Sequence, residues 1–357
     1  MKQHHFIYRY GVLILLLSVA SACAQTTQQA PQEPALQRIA FGSCSNPRKP
    51  VPAFLAIAQT NPDLMIFVGD NVYADTTDER KLRRAYKDLG ENPGFGHLKN
   101  ICPILATWDD HDYGLNDAGV ELPSKVTSQR VFLEFWEVPK DSPRHTREGI
   151  YGAHIFGPQG QRVQVILLDT RYHRDLLTPI PRNDRDKLPG RYIPNPDPDI
   201  TILGKAQWTW LKEQLAKPAD VRLIASSIQF VPVEHGWEGW MQFPAERTRF
   251  IELIRATKAN GVIFLSGDRH HAEISRLDED APYPLYDITS SGMNQPGGQS
   301  NERNRHRVGP RYYHTNFGLI TLDWNQPAPA VTLQIIDPQG NVQIQQHIPL
   351  ADLAPPR

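Results

Sequence analysis

The sequence predicts an α/β fold, and three observations carry that prediction. Short runs of residues are apolar almost throughout, as strands buried on both faces are. Between them lie stretches whose apolar residues recur at helical spacing. The C-terminal third abandons this rhythm for strand-like runs joined by turns, which is antiparallel material. In chain order, a strand is expected at Arg38–Gly42, a helix at Ala53–Gln59 and a strand at Leu64–Val68. A helix at Glu79–Asp88, a strand at Ile104–Trp108 and a helix at Ser124–Glu137 follow. The strand Val163–Leu168 leads into the longest stretch without periodicity, Tyr172–Leu203, which holds Pro179, Pro181, Pro189, Pro194, Pro196 and Pro198. A loop of that length inside a domain is usually functional or disordered. Trp208, Leu211 and Leu215 share a face of the helix expected at Gln207–Leu215, and Leu223–Ser227 is the next strand. Pro244 suits the first turn of a helix at Pro244–Lys258, whose face is Phe250, Leu253, Ile254 and Thr257. After the strand Val262–Leu265, the runs Ala272–Leu277, Leu285–Ser290, Gly318–Trp324, Ala330–Ile335 and Val342–Ile348 read as strands, with a turn at Asp337–Gly340.

Composition narrows the function classes. The chain has 357 residues, with 38 Lys plus Arg against 39 Asp plus Glu. That balance excludes the dominant basic footprint of a nucleic-acid binder, and no stable nucleic-acid complex is expected. An apolar content of 40% with 22% charged residues excludes a disordered chain. Only Cys23, Cys44 and Cys102 are present, so a disulfide scaffold is excluded. Residues 1–22 read as a signal peptide: Lys2 and Arg9 precede the apolar, small-residue run Val12–Ala22, which is too short to span a bilayer. Ala20-Ser21-Ala22-Cys23 resembles a bacterial lipobox, which would make Cys23 a lipidated first residue anchoring the chain to a membrane. Ordinary cleavage after Ala24 is the rival. Both readings imply export, to the periplasm or to a membrane-anchored lipoprotein facing it. Residues 23–36, rich in Gln, Thr and Pro, read as a flexible linker.

The chemistry gathers where strands end, which is where ligands bind in α/β sheets. The first strand runs into Ser43-Cys44-Ser45, and the second into Gly69-Asp70-Asn71-Val72-Tyr73-Ala74-Asp75. The third ends in Asp109-Asp110-His111-Asp112, with Asn116 and Asp117 close behind. Asp169-Thr170-Arg171-Tyr172 and Ser266-Gly267-Asp268-Arg269-His270-His271 close two more. A lone aspartate after a strand ordinarily caps a turn, and a lone Cys44 ordinarily packs as a small hydrophobe. Three carboxylates around an imidazole are different, because they repel one another unless cations or hydrogen bonds compensate. Carboxylate and imidazole together suit Mg, Ca, Mn, Zn or Fe, and a metal site is expected.

Gly-Asp, Asp-His and Gly-Asp-x-His in this order resemble the calcineurin-like metallophosphatase superfamily. That superfamily normally opens with Asp-x-His, where this chain has Ser43-Cys44. The departure resembles its PhoD-like branch, the alkaline phosphatase D family, whose marks stand here as residues 41–45, 68–75, 108–114, 168–172 and 265–271. The resemblance runs from about Arg38 to Asp323. It implies an αββα sandwich of two mixed sheets flanked by helices, formed by one catalytic domain over residues 37–350 without the extra N-terminal sandwich of longer relatives.

By that resemblance, Cys44, Asp70, Tyr73 and His270 would hold a ferric iron. A trivalent cation deprotonates thiol and phenol alike. Asp70 would bridge to a calcium-type site completed by Asp268, Asn116 and one or both of Asp109 and Asp110. Which aspartate of that pair ligates directly stays open. The reaction implied is metal-dependent hydrolysis of a phosphate mono- or diester, with a metal-activated hydroxide attacking phosphorus in line and diesters preferred. His111 would protonate the leaving oxygen or, alternatively, orient a ligand. Arg171 would clamp a phosphate oxygen with its planar fork or, alternatively, pair with Asp169. Trp237 and Trp240 read as an aromatic wall or as loop packing, His271 as pointing away from the site. Arg303, Arg305, His306, Arg307 and Arg311 read as an anion funnel or a solvated loop. Cys102 reads as packing. A monomer is expected. Two competing functions are a lipoprotein that binds phosphate or an anionic polymer without turnover, and an iron oxidoreductase, which the dense carboxylates disfavour.

Overall fold

A computed structural model describes residues 34–355. The signal peptide, Cys23 and most of the linker lie outside the described residues. The elements run β1 (Arg38–Gly42), α1 (Pro52–Gln59), β2 (Leu64–Val68), α2 (Glu79–Gly90), α3 (Pro93–Ile101), β3 (Ile104–Thr107), α4 (Asp110–Tyr113) and α5 (Lys125–Phe135). They continue with β4 (Gly152–Phe156), β5 (Val163–Leu167), α6 (Gly204–Leu215), β6 (Val221–Ser227), α7 (Pro244–Thr257), β7 (Val262–Ser266), β8 (Ala272–Leu277) and β9 (Leu285–Ser290). The chain closes with β10 (Arg307–Tyr312), β11 (Phe317–Asp323), β12 (Ala330–Ile336) and β13 (Val342–Pro349).

The strands form two mixed sheets, ordered β13-β12-β11-β1-β2-β3 and β10-β8-β9-β7-β6-β5-β4. In the first, β1, β2 and β3 are parallel and β11 to β13 antiparallel. In the second, β5, β6, β7 and β9 are parallel, with β4, β8 and β10 antiparallel. β2 shows why the sheets bury both faces. Its residues alternate between two cores, as a period of two requires. Leu64, Ile66 and Val68 join the core shared with the second sheet and with Trp208 of α6 and Phe250 of α7. Met65 and Phe67 join the core covered by α1, α2, α3 and α5. There Phe67 meets Phe54, Phe95 and Trp136 at centroid distances of 5.3–6.0 Å. Each such aromatic pair adds roughly 0.5–1.5 kcal/mol beyond area burial.

Four elements depart from the sequence expectation, the first being α4, a single turn whose cap is Asp109. α3 has its cap at Asn92, whose side chain accepts from Gly94 N and Phe95 N, but Gly94 and Gly96 dilute its helical signal. β4 is an edge strand with exposed residues. β10 is the opposite edge and carries Gly309 and Pro310, which a loop would also carry. Pro is tolerated there because an edge strand has N–H groups without partners. The basic run is therefore partly a strand. Arg307 and Arg311 turn inward to Glu273, at 2.6 and 3.3 Å, rather than forming a solvated funnel.

Candidate metal centre

The parallel strand ends of both sheets meet at one end of the sandwich. Ser43, just past β1, pairs with Ser291, just past β9, and its N–H donates to Ser290 O at 3.1 Å. The two sheets are thereby stitched together beside Cys44. Gly69 lies at φ 105°, and a Cβ there would stand 2.5 Å from the Cβ of Asp109. Only glycine lets the ends of β2 and β3 approach this closely.

Around this seam the expected donors converge. Cys44 Sγ lies 3.3 Å from Asp70 Oδ2 and 3.0 Å from Ser291 Oγ. The Tyr73 hydroxyl donates to the same Asp70 oxygen at 3.3 Å, and its ring lies 4.2 Å from that of His111. His270 Nδ1 donates to the carbonyl of Gln295, which leaves Nε2 as the free lone pair for a metal. Cys44, Asp70 and His270 each bring a donor atom within 4.8 Å of the others. So do Asp70, Asp110 and His111, and so do Asp109, Asp110 and Asp268. Asn116 is exposed on the loop after α4 and lines the cavity above these groups.

The electrostatics of the bare cluster follow from burial. Burial, then Asp70, raises the Cys44 thiol, and burial, then Asp110, raises Asp70. Burial and Asp70 likewise raise Tyr73, and burial raises Asp268. Burial also pushes Asp110 up, but Arg171 and His111 outweigh it and hold the carboxyl at about 2. Burial pulls His111 down, yet its 2.5 Å contact with Asp75 and the carboxylates of Asp70 and Asp110 raise it to about 11. Oδ1 of Asp70 and Oδ2 of Asp109 are buried with no hydrogen-bond donor among the described residues. Orphaned buried carboxylate oxygens are costly unless a cation completes them. The donor set therefore fits metal ions.

Arg171 departs from its expected role. Its guanidinium is fully buried and bridges Asp109 Oδ1 and Glu238 Oε2, the latter at 2.7 Å. From Arg171, Asp169 receives the backbone N–H at 2.9 Å and not the guanidinium; its other donors are the indole of Trp108 and the N–H groups of Ile150 and Tyr172. A guanidinium so committed has no free fork for a phosphate. Trp240 is also a core residue, its indole donating to Ser226 Oγ, so only Trp237 reaches the cavity. His271 lines the cavity wall but is held through Nδ1 by Arg269 O. Cys102 is buried packing.

The cavity over the centre has a volume of about 270 Å³ and is lined by Asp110, His111, Asn116, Asp268 and His270. At its mouth Trp237 lies between Arg191 and Arg269, whose guanidinium carbons are 5.4 and 5.3 Å from the ring. The proline-rich loop supplies Arg191, and Tyr192 donates to Asp117 Oδ2 at 2.6 Å. This loop is pinned at Gly190 and Gly236, where a Cβ on either residue would meet backbone at 2.1 or 2.0 Å. Ser227, whose hydroxyl donates to Asp109 Oδ1 at 2.9 Å, and Glu238 and Ser291 carry no role in the sequence reading. Asp75 stands in the second strand-end motif, but nothing local pairs it with His111.

Two facing mixed sheets with such a centre at their strand ends define the metallophosphatase fold. A solved structure of PhoD superposes with a TM-score of 0.63 at 18% identity, covering 89% of this chain and 74% of that one. A purple acid phosphatase from yellow lupin seeds superposes with a TM-score of 0.59 at 11% identity, covering 90% and 55%. The family model for PhoD-like phosphatase matches residues 39–326, and the chain belongs to that family. Alkaline phosphatase D of Bacillus subtilis (strain 168) is 29% identical over 268 residues, covering 64% of this chain and 44% of that protein. The chain thus matches less than half the length of that curated relative.

Proposed function

We propose that this chain is a metal-dependent phosphoric ester hydrolase that prefers diesters. The observation that carries the reading is the pair of orphaned carboxylate oxygens, on Asp70 and Asp109, beneath a cavity whose lining also presents Arg191. Cys44, Asp70, Tyr73 and His270 would hold a ferric ion, and Asp109, Asp110, Asp268 and Asn116 a calcium ion. When bound, such ions polarise a phosphoryl oxygen and make a water acidic enough to attack phosphorus. Asp75 fixes the His111 ring through Nδ1, leaving Nε2 to carry a proton to the leaving oxygen. Coordination of Asp70 and Asp110 weakens the negative field that otherwise retains that proton. Arg171 acts on Asp109, holding one oxygen so that the other stays aimed at the centre. Arg191, whose side chain is exposed, takes the anion-attracting role first expected of Arg171, while Arg269 is paired with Glu302 at 2.6 Å; Trp237 offers a flat face to the second ester group.

Hydrolysis of bis-p-nitrophenyl phosphate with calcium, compared with p-nitrophenyl phosphate and with chelator, tests this reading. Metal-dependent turnover with the diester ahead is expected. Saturable phosphate binding without turnover of either ester sinks the hydrolase and favours an anion-binding protein. We further infer export and a monomer. Residues 1–24 support export, and N-terminal mass determination of the processed protein distinguishes a lipidated Cys23 from cleavage after Ala24.

A further inference from the structure

A second cavity, of about 650 Å³, opens between the free edges of the two sheets, with Leu105 of β3 on one side and Ala153 of β4 on the other. Its lining carries two arginines, Arg144 and Arg147. Nε and Nη2 of Arg144, and Nε of Arg147, are buried without a hydrogen-bond partner among the described residues. No ion pair joins either guanidinium to a carboxylate among those residues; Glu137, also on the lining, is paired to Lys99 at 2.8 Å. The arginines are nevertheless held in place. Gln129 Nε2 donates to both of their carbonyls, at 2.9 and 2.7 Å. Arg147 stacks 3.6 Å from the Tyr151 ring centroid and donates to Tyr151 O. Trp136, Val138 and Trp210 supply apolar lining, and the Trp210 ring lies 5.5 Å from the Arg147 guanidinium carbon.

Two fixed guanidiniums with no ion-paired carboxylate repel one another and forgo the hydration they had in water, and Asp169 offsets part of their charge from beyond ion-pair distance. Burial and then Arg147 lower Arg144 to about 10, which still leaves it charged at neutral pH. His154 beside it is lowered by burial and by Arg144, so it is neutral there and can share an anion's hydrogen bonds. An oxyanion would offset the charge of the two guanidiniums, and the indoles beside them would cover an apolar body attached to it.

We propose that this cavity binds an amphipathic organic anion, its oxyanion head on Arg144 and Arg147 and its apolar body against Trp136 and Trp210. The site is independent of the metal centre. Calorimetric titration of the full chain with decanoate, below its micellar concentration, tests it against decyltrimethylammonium and acetate. One saturable decanoate site is expected, with the cationic tail and acetate each at least about tenfold weaker. Arg144→Met should weaken decanoate at least about tenfold, and Ala153→Trp, which fills the cavity and spares the arginines, should do the same. Asp70→Asn should leave binding unchanged. No saturable binding, equal binding of the cationic tail, or loss of binding in Asp70→Asn overturns the proposal. Should Arg144→Met not fold, undiminished binding by Ala153→Trp overturns it alone.

Discussion

Cys44 and Asp109 are equally buried at the seam between the two sheets, yet only Asp109 faces a counter-charge. Around Cys44 the donors satisfy one another: thiol and phenol both lean on one oxygen of Asp70, and hydroxyls of Ser43 and Ser291 complete the cluster. Around Asp109 and Asp110 a buried guanidinium holds the charge, backed by Glu238 and, behind it, Arg174 at 2.9 Å. In the first half burial holds the protons on thiol and phenol. In the second, Arg171 and His111 keep Asp110 low, while burial still raises Asp109 and Asp268, and this all-carboxylate set suits a hard cation. The contrast teaches that two adjacent metal positions can be distinguished by what compensates their charge, before any ligand geometry is considered.

Asp70 belongs to both halves, so Asp70→Asn should do most to erase the contrast. A loss of about a thousandfold or more in kcat/KM on a diester, roughly 4 kcal/mol, is expected. A loss under tenfold in steady-state assays would show that the halves do not share this residue. Arg171→Met should strand Asp109 without its counter-charge, leave Glu238 with Arg174 alone, and cost about 3–5 kcal/mol of stability in urea unfolding. Arg171→Lys should recover only part of it, since one ammonium cannot span both carboxylates as the fork does. Cys44→Ser should act on one half alone. Iron content by elemental analysis is expected to fall while calcium content holds, and equal loss of both would merge the two halves into one. The smallest effect should come from a reference cluster outside both halves. Burial alone would raise Glu273, but His271 and Arg307 hold it well below its ordinary value near 4.5. A depressed carboxyl stabilises the fold above its unfolded pKa and loses that contribution as pH falls. The urea midpoint should therefore decline below about pH 4.5 in the wild type and more shallowly in Glu273→Gln.

Much of this arrangement was legible in the sequence, for a physical reason. β1 and β2 begin and end where expected because strands buried on both faces need unbroken apolar runs, and polar residues then mark their ends sharply. The metal-type donors all sit directly after such ends. What escaped depends on distance along the chain. Arg171 meets Glu238 across 67 residues, and a buried ion pair leaves no trace in either local pattern. Trp237 and Trp240 look alike as letters, and only the turn between them sends one to the cavity and the other to the core. β4 and β10 were missed because edge strands lack a second buried face and with it the apolar signal.

Cys44, Asp70, Asp268 and His270 share a further property, left-handed backbone at φ of 58°, 51°, 63° and 54°. Residues other than glycine adopt that region reluctantly, at about 1 kcal/mol or more apiece. Glycine at any of the four would relax the backbone and remove a donor in the same stroke. Random variants selected for heat resistance alone should therefore accumulate glycine or asparagine at these positions, while those selected for turnover should keep them. The durability of the scaffold and the survival of its centre compete for the same few codons.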